Sequence, residues 1–445
     1  MTHRRPVALF AVLLLAAAGR GQPPAPAPAV SPEEEKARKL FAEGKTDDAL
    51  KELAAAVRAN PALPPARLQL AGLFLQAGNA PAARANLELA AADDPKHPEV
   101  YLLNASLAFG ERRLTDTVLS CQVALQLATT DPRWGGEKKK QDVRNARLGL
   151  AAAFEARRDW AAAREQMAAL LADDPQNGPA RVRLGSALFH LGKPDEALAE
   201  LKKAHEHDPA TDLPELVLHA LYAGAGDTAK AEEWVKKARQ AYPQNAKATR
   251  AYAGWLIDRG EPDTLAEAER VLDGLTKADA DARESVALRG LIARHRRKFA
   301  DAERPFERLV KEHPAETVYA WNLALVLAES ADLSKQRRAI ELAEAEVRKA
   351  PRSPEAYAVL GYCYYKAGRL DDADRALGTG AQLGPLTRDA AYFVGRLLAD
   401  KQQPEKAAKV LDGALRATGP FLYRTEAAAL LAEVERKLPK KDDKK

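Results

Sequence analysis

The chain has little cysteine, few aromatic residues and no apolar stretch long enough to cross a membrane. Two cysteines among 445 residues, Cys121 and Cys363, leave no basis for a disulfide-stapled scaffold. Each reads as a small buried hydrophobe rather than a redox or metal-binding thiol. Aromatics are only 6% of residues although hydrophobics reach 46%. Much of the apolar content is alanine, which favours closely packed helices over strands. Neither sign of charge dominates. With 68 basic and 63 acidic residues the net charge is +5, which is no nucleic-acid footprint by itself. Catalytic signatures are missing as well. Gly185, Gly192 and Lys193 have the wrong spacing for a phosphate loop and run into Pro194, and there is no G-x-S-x-G or H-E-x-x-H. No enzyme activity and no cofactor or metal are therefore expected.

The N-terminus carries Arg4 and Arg5, then the apolar run Val7–Ala18, then Gly19. A basic start, a short apolar core and small residues read as a cleavable export signal over residues 1–21, cut after Ala18 or Gly21. About twenty residues are needed to span a bilayer, so the alternative is a retained N-terminal anchor. The segment 22–32, QPPAPAPAVSP, reads as a semi-rigid polyproline tether.

The remainder is periodic. Prolines recur at Pro61, Pro95, Pro132, Pro175, Pro209, Pro243, Pro314, Pro351, Pro385 and Pro420, with intervals of 34, 37, 43, 34, 34, 71, 37, 34 and 35. The 71 is two units whose intervening proline is lost near Asp279–Asp281. The clearest unit is Pro354–Pro385. It places Tyr357, Leu360, Gly361 and Tyr364 on one face of a first helix, and Ala373, Leu377 and Gly380 on one face of a second. Ala367–Gly368–Arg369 forms the turn between them. Comparable positions are Leu184, Gly185, Leu188, Ala197 and Leu201 in one unit, and Leu70, Ala71, Phe74, Ala83 and Leu87 in another. Such a hairpin cannot bury its apolar face alone and must stack on copies of itself. The small residues mark the closest approach of the two helices, where glycine or alanine is expected to face alanine.

This spacing resembles the tetratricopeptide repeat, W-x2-L-G-x2-Y…A-x3-F…P, with Tyr357 in place of the tryptophan and Leu377 in place of the phenylalanine. The resemblance implies an all-α, right-handed α-solenoid of about eleven helix hairpins over residues 33–420. Phe421–Leu438 would be a lone capping helix and 439–445 a charged tail. A three-residue insertion near Ser330–Ser334 and a nine-residue excess at Arg133–Gln141 are expected as surface loops. Trp134 beside Lys138, Lys139 and Lys140 is a candidate docking site, unless it tucks against a neighbouring helix.

Proteins with this architecture bind an extended peptide or a partner helix in a groove lined by their first helices. Transferred to this chain, the groove candidates are Phe189, His190, Trp255, Arg294, Trp321, Asn322, Tyr362, Tyr365 and Arg396. Aromatic and arginine side chains are the types that carry interface energy. Glu34, Arg38, Leu68 and Gly72 stand where some relatives clamp a C-terminal carboxylate, which argues against that mode. His205-Glu206-His207-Asp208 is metal-like in composition, but residues i and i+2 of a helix diverge. The basic run Arg294–Lys298 reads as a solvated helix end. Asn104 lies in a formal glycosylation sequon within a first helix. Together these features predict an exported, non-catalytic scaffold with a protein or peptide partner, no nucleic acid and no integral membrane segment once the signal is cut. The alternative is a regulatory or substrate-presenting subunit of an envelope enzyme or secretion complex.

Overall fold

The computed structural model describes residues 31–61, 63–417 and 421–438. The export signal, nearly all of the proline-rich tether, Pro420 and the charged tail lie outside the described residues. Among the described residues every regular element is a helix, and the chain divides into two units, Met1–Pro214 and Glu215–Lys445.

The first unit holds five hairpins: α1 (Pro32–Ala42) with α2 (Thr46–Ala59), α3 (Ala66–Gln76) with α4 (Ala80–Asp93), α5 (Pro98–Gly110) with α6 (Leu114–Thr130), α7 (Gly136–Arg157) with α8 (Trp160–Asp173), and α9 (Gly178–His190) with α10 (Pro194–His207). The second unit holds six. They are α11 (Pro214–Ala225) with α12 (Thr228–Ala241), α13 (Ala246–Arg259) with α14 (Pro262–Asp273), α16 (Arg283–His295) with α17 (Phe299–Glu312), α18 (Thr317–Ala328) with α19 (Leu333–Lys349), α20 (Pro354–Lys366) with α21 (Leu370–Leu383), and α22 (Arg388–Asp400) with α23 (Pro404–Arg416). The short α15 (Lys277–Asp281) fills the place of the lost proline, and α24 (Arg424–Arg436) follows the last hairpin. The eleven hairpins among the described residues agree with the repeat count of about eleven read from the sequence.

Local chemistry sets the hairpin ends. Ser31 and Glu34 form a reciprocal capping box on α1, and Asn177, Asn245, Ser353 and Thr387 cap later first helices. Prolines of the repeat sit in tight turns between hairpins, as where the His97 N–H donates to the Asp94 carbonyl across Pro95. Within every hairpin but α18–α19 the turn holds one left-handed residue. Gly368 supplies it at φ +74°, whereas Arg112, Arg158, Arg297 and Gln402 adopt the same region without that freedom, at φ between 56° and 62°.

In the hairpins of Gly185, Gly290, Gly361 and Gly395 the packing departs from the expectation that small faces small. A Cβ on Gly185 would lie 2.9 Å from Leu201, one on Gly290 2.9 Å from Phe306, and one on Gly395 2.6 Å from Leu411. The glycine makes room for the bulky residue sixteen positions on, not for the alanine, because that residue points straight at the first helix where the axes cross. Cys121 occupies this bulky position opposite Ala105 in a common core cluster. Both cysteines are free and buried, and burial pushes the Cys121 thiol up to about 12 and raises that of Cys363.

Both insertions lengthen a helix, leaving residues 133–135 and 330–332 in the turns before it. Gly136–Gln141 forms the first turns of the 22-residue α7, and α19 reaches 17 residues. The run EKKKQ is a good helix former, and Lys140 pairs with Glu137 at 2.7 Å, so a helical extension is favoured over a free loop.

Candidate functional site

First helices of successive hairpins pack directly on one another in each unit: α5 on α7 in the first, and α13 on α16, α18 on α20 and α20 on α22 in the second. The stacked first helices of each unit form one layer, termed its inner face, and the sequence-chosen residues can be placed against it.

In the first unit His190 stacks on Trp160 at the start of α8, with centroids 3.9 Å apart, and Phe189 meets the same imidazole edge-on at 5.4 Å. Burial, reinforced by Arg158, lowers the His190 pKa. Trp134 is half-buried. Its indole N–H donates to the Lys96 carbonyl at 3.4 Å, and its ring meets His97 edge-to-face at 4.7 Å. Each neighbouring lysine also has a partner: Lys138 bonds Glu99, Lys139 bonds the Thr129 carbonyl and Lys140 bonds Glu137. The structure therefore ties this segment to the preceding turn. His205 Nδ1 lies 3.2 Å from the Thr211 carbonyl, and among the described residues no three metal-ligating side chains converge. The Asn104 amide donates to Ser120 Oγ at 3.0 Å.

In the second unit Trp255 stacks on Tyr252 at 5.6 Å, with Lys236 and Arg259 over its ring at 5.1 and 5.5 Å. Most of the other candidates fall into two linked networks. Arg294 at the end of α16 is 7% exposed; it donates to Asn322 Oδ1 of α18 at 2.8 Å and to the Tyr423 hydroxyl at 2.9 Å. Tyr362 of α20 donates its hydroxyl to Glu329, which also pairs with Lys366 at 2.8 Å. The Tyr362 ring stacks on Phe393 of α22 at 4.1 Å. Beside them Tyr365 donates to Asp400 and accepts from Arg396 Nε at 3.1 Å. Trp321 packs against the same core, and its indole nitrogen is buried without a hydrogen-bond partner.

The residues that join these networks were not legible in the sequence. Tyr423 precedes α24, and α24 itself begins only at Arg424 rather than at Phe421. The Tyr423 ring stacks on Tyr392 at 4.8 Å and meets Phe393 edge-on at 5.2 Å. Asp389, in the first turn of α22, accepts from the backbone N–H groups of Leu422 and Tyr423 at 2.9 and 3.4 Å. Burial raises the Asp389 carboxyl and Arg294 opposes that shift; burial pushes the Tyr423 hydroxyl up to about 12. Burial by itself would lower the Arg294 pKa, but Tyr423 and Asp389 hold it above its ordinary value.

Stacked hairpins with a polar and aromatic inner face define a helical-repeat protein. Tetratricopeptide repeat models match residues 40–107 and 145–217, and again 264–317, 331–382 and 366–420, well over half of the chain. The chain belongs to the tetratricopeptide repeat family, whose members typically mediate protein binding and are typically non-catalytic. No curated protein matches it in sequence. Among solved structures it is similar to yeast Tom70, with 14% identity, 92% of this chain and 96% of that one covered, and a TM-score of 0.35. It is also similar to the Cut9–Hcn1 hetero-tetramer of the APC/C (15% identity, 90% and 82% covered, TM-score 0.42) and to a tetratricopeptide repeat protein from Parabacteroides merdae (16%, 66% and 98%, TM-score 0.35). Among the described residues no helix is long and apolar enough to cross a membrane.

Proposed function

We propose that this chain is an exported, non-catalytic scaffold that holds a protein or peptide partner against the inner faces of its first helices. The observation that carries this reading is the Tyr365–Arg396–Asp400 network. It sets an aromatic ring and a guanidinium, both partly exposed, on adjacent first helices at the edge of a buried aromatic cluster. Side chains already held by hydrogen bonds lose little further entropy on binding, which favours a pre-formed interface. Export rests on the basic, apolar and small-residue order of the first 21 residues.

Two measurements test the reading. Mass spectrometry of the mature chain after fractionation is expected to find a start near Gly19 or Gln22 in an envelope or extracellular fraction; an intact Met1 in the cytoplasm would refute export. A photo-crosslinking residue placed at Tyr365 is expected to capture one defined partner, and to lose it when Arg396→Ala is added. Capture that ignores Arg396, or no capture in any fraction, would refute the binding surface.

A further inference from the structure

Arg294 and Arg297 are three residues apart, and so are their partners Tyr423 and Glu426. Each pair is separated by 129 residues of chain, so two contacts of equal spacing join the end of α16 and the turn that follows it to the start of α24. The segment they hold is seated like a ligand. Its leading backbone N–H groups point at the Asp389 carboxylate, its aromatic ring lies among Tyr362, Tyr392 and Phe393, and its carboxylate meets Arg297. Three different first helices contribute to this seat.

We propose that the inner face around Arg294 is a docking surface for a partner segment that opens a helix with a hydroxylated aromatic residue and carries a carboxylate three positions later, and that the chain's own Tyr423–Glu426 occupies the surface until that segment takes its place. The proposal rests on the reading of the inner faces as partner-binding.

Three observations carry it. A helix that only covered the last hairpin would need nothing beyond the apolar stripe Ala427, Leu430 and Val434, which is buried on the core at 0, 4 and 1% exposure. Burying Arg294 and Tyr423 besides, with the Asp389 carboxylate against the same segment, is costly in desolvation and is better explained by selectivity than by stability. Arg388, next to Asp389, keeps Nε and Nη1 buried without an acceptor, and Arg424 of the seated segment adds a like charge beside it. The resident segment thus leaves donors unused that a partner with a further carboxylate or carbonyl would satisfy. The bonds to Arg294 and Arg297 are made by Tyr423 and Glu426 and involve none of Ala427, Leu430 and Val434, so those two bonds can break while the stripe stays packed.

The test uses the full chain and a fluorescein-labelled peptide of residues 420–428, PFLYRTEAA, which lacks Leu430 and Val434. The double variant Tyr423→Ala, Glu426→Ala vacates the seat while keeping the stripe. By fluorescence anisotropy the peptide is expected to bind this variant about tenfold more tightly than wild type, the factor by which a resident competitor present nine-tenths of the time weakens apparent affinity. Adding Arg294→Ala to the variant, or replacing the tyrosine of the peptide by alanine, is expected to abolish binding. Circular dichroism and a cooperative melt establish that each variant folds. No binding to a folded double variant overturns the proposal, as does binding indifferent to Arg294. A concentration-dependent dimer of the wild type that exchanges this segment between copies would also overturn it, by assigning the seat to a second copy. Capture at Tyr365 with no peptide binding would leave the scaffold reading intact and remove only this one, and the reverse result would do the opposite.

Discussion

Gly361 and Leu377 approach so closely that a Cβ on the glycine would sit 2.6 Å from the leucine Cγ and 2.9 Å from its Cδ2. The contact lies where α20 crosses α21, and both residues are buried. Gly361→Ala forces either the leucine off its rotamer or the two helices apart, and is expected to destabilise the chain by about 1–3 kcal/mol. Gly378, one residue beyond the leucine on the same helix, has nothing within 4 Å of its virtual Cβ. Gly378→Ala should therefore stabilise by about 0.5–1 kcal/mol, because alanine loses less backbone entropy in a helix. Urea midpoints of the two variants should move in opposite directions; parallel shifts would show that the crossing does not set the cost.

Arg158 takes φ 62° in the turn between α7 and α8, a region that costs a side-chain-bearing residue free energy. Arg158→Gly is expected to stabilise by roughly 0.5–1 kcal/mol net of the entropy that glycine adds to the unfolded chain. At the equivalent turn Gly192 has φ 77°, so Gly192→Ala should destabilise by about 1 kcal/mol. Thermal melts of the two variants check the pair.

His97 is 8% exposed under Trp134, and burial drives its imidazole down from 6.5 to about 4, with Asp94 opposing and Lys138 and Arg133 adding to the shift. The folded pKa lies below the unfolded one, so the unfolded chain binds the proton first as pH falls. The resulting stability is complete above about 6.5 and is lost progressively between 6.5 and 4. His97→Phe retains the ring contact and removes the titration. Its urea midpoint should fall less than that of wild type across this window; identical losses would refute the assignment.

Cys121 and Cys363 are both 1% exposed, with thiols held protonated by burial. A thiolate-selective reagent is expected to label neither in the folded chain at neutral pH and both in denaturant. Rapid labelling of either thiol in the native state would contradict the packing of its hairpin.

The hairpins were legible because their determinants are local. Leu360, Gly361, Ala373, Leu377 and the proline of each turn act within about thirty residues of one another, so their spacing in the sequence is their spacing on the helices. The candidate surface was legible only in part. Arg294, Asn322, Tyr362, Tyr365 and Arg396 were reached by extending the helical phase to the face opposite the packing residues. Tyr392 and Phe393 carry no repeat signal of their own, which falls on their neighbours Val394 and Gly395. Tyr423 lies beyond the last repeat proline, outside any periodic position, and Asp389 looks like any acid in a first turn. The lysines beside Trp134 suggested an open loop, since their partners Glu99 and Thr129 belong to the neighbouring hairpin and a one-dimensional pattern does not pair them.

By itself the sequence determined the repeat: its period, its turns, the positions of its small residues, and hence a stack of hairpins; that the small residue admits a bulky one came from the structure. Only the tertiary structure decided what the inner face of that stack holds. Three hairpins lie between the hairpin of Arg294 and Tyr423 in the chain. Whether the two residues meet depends on the small rotation added at each hairpin-to-hairpin contact, which sums over the stack. That sum is set by side-chain packing at every interface in turn, and no single stretch of sequence encodes it.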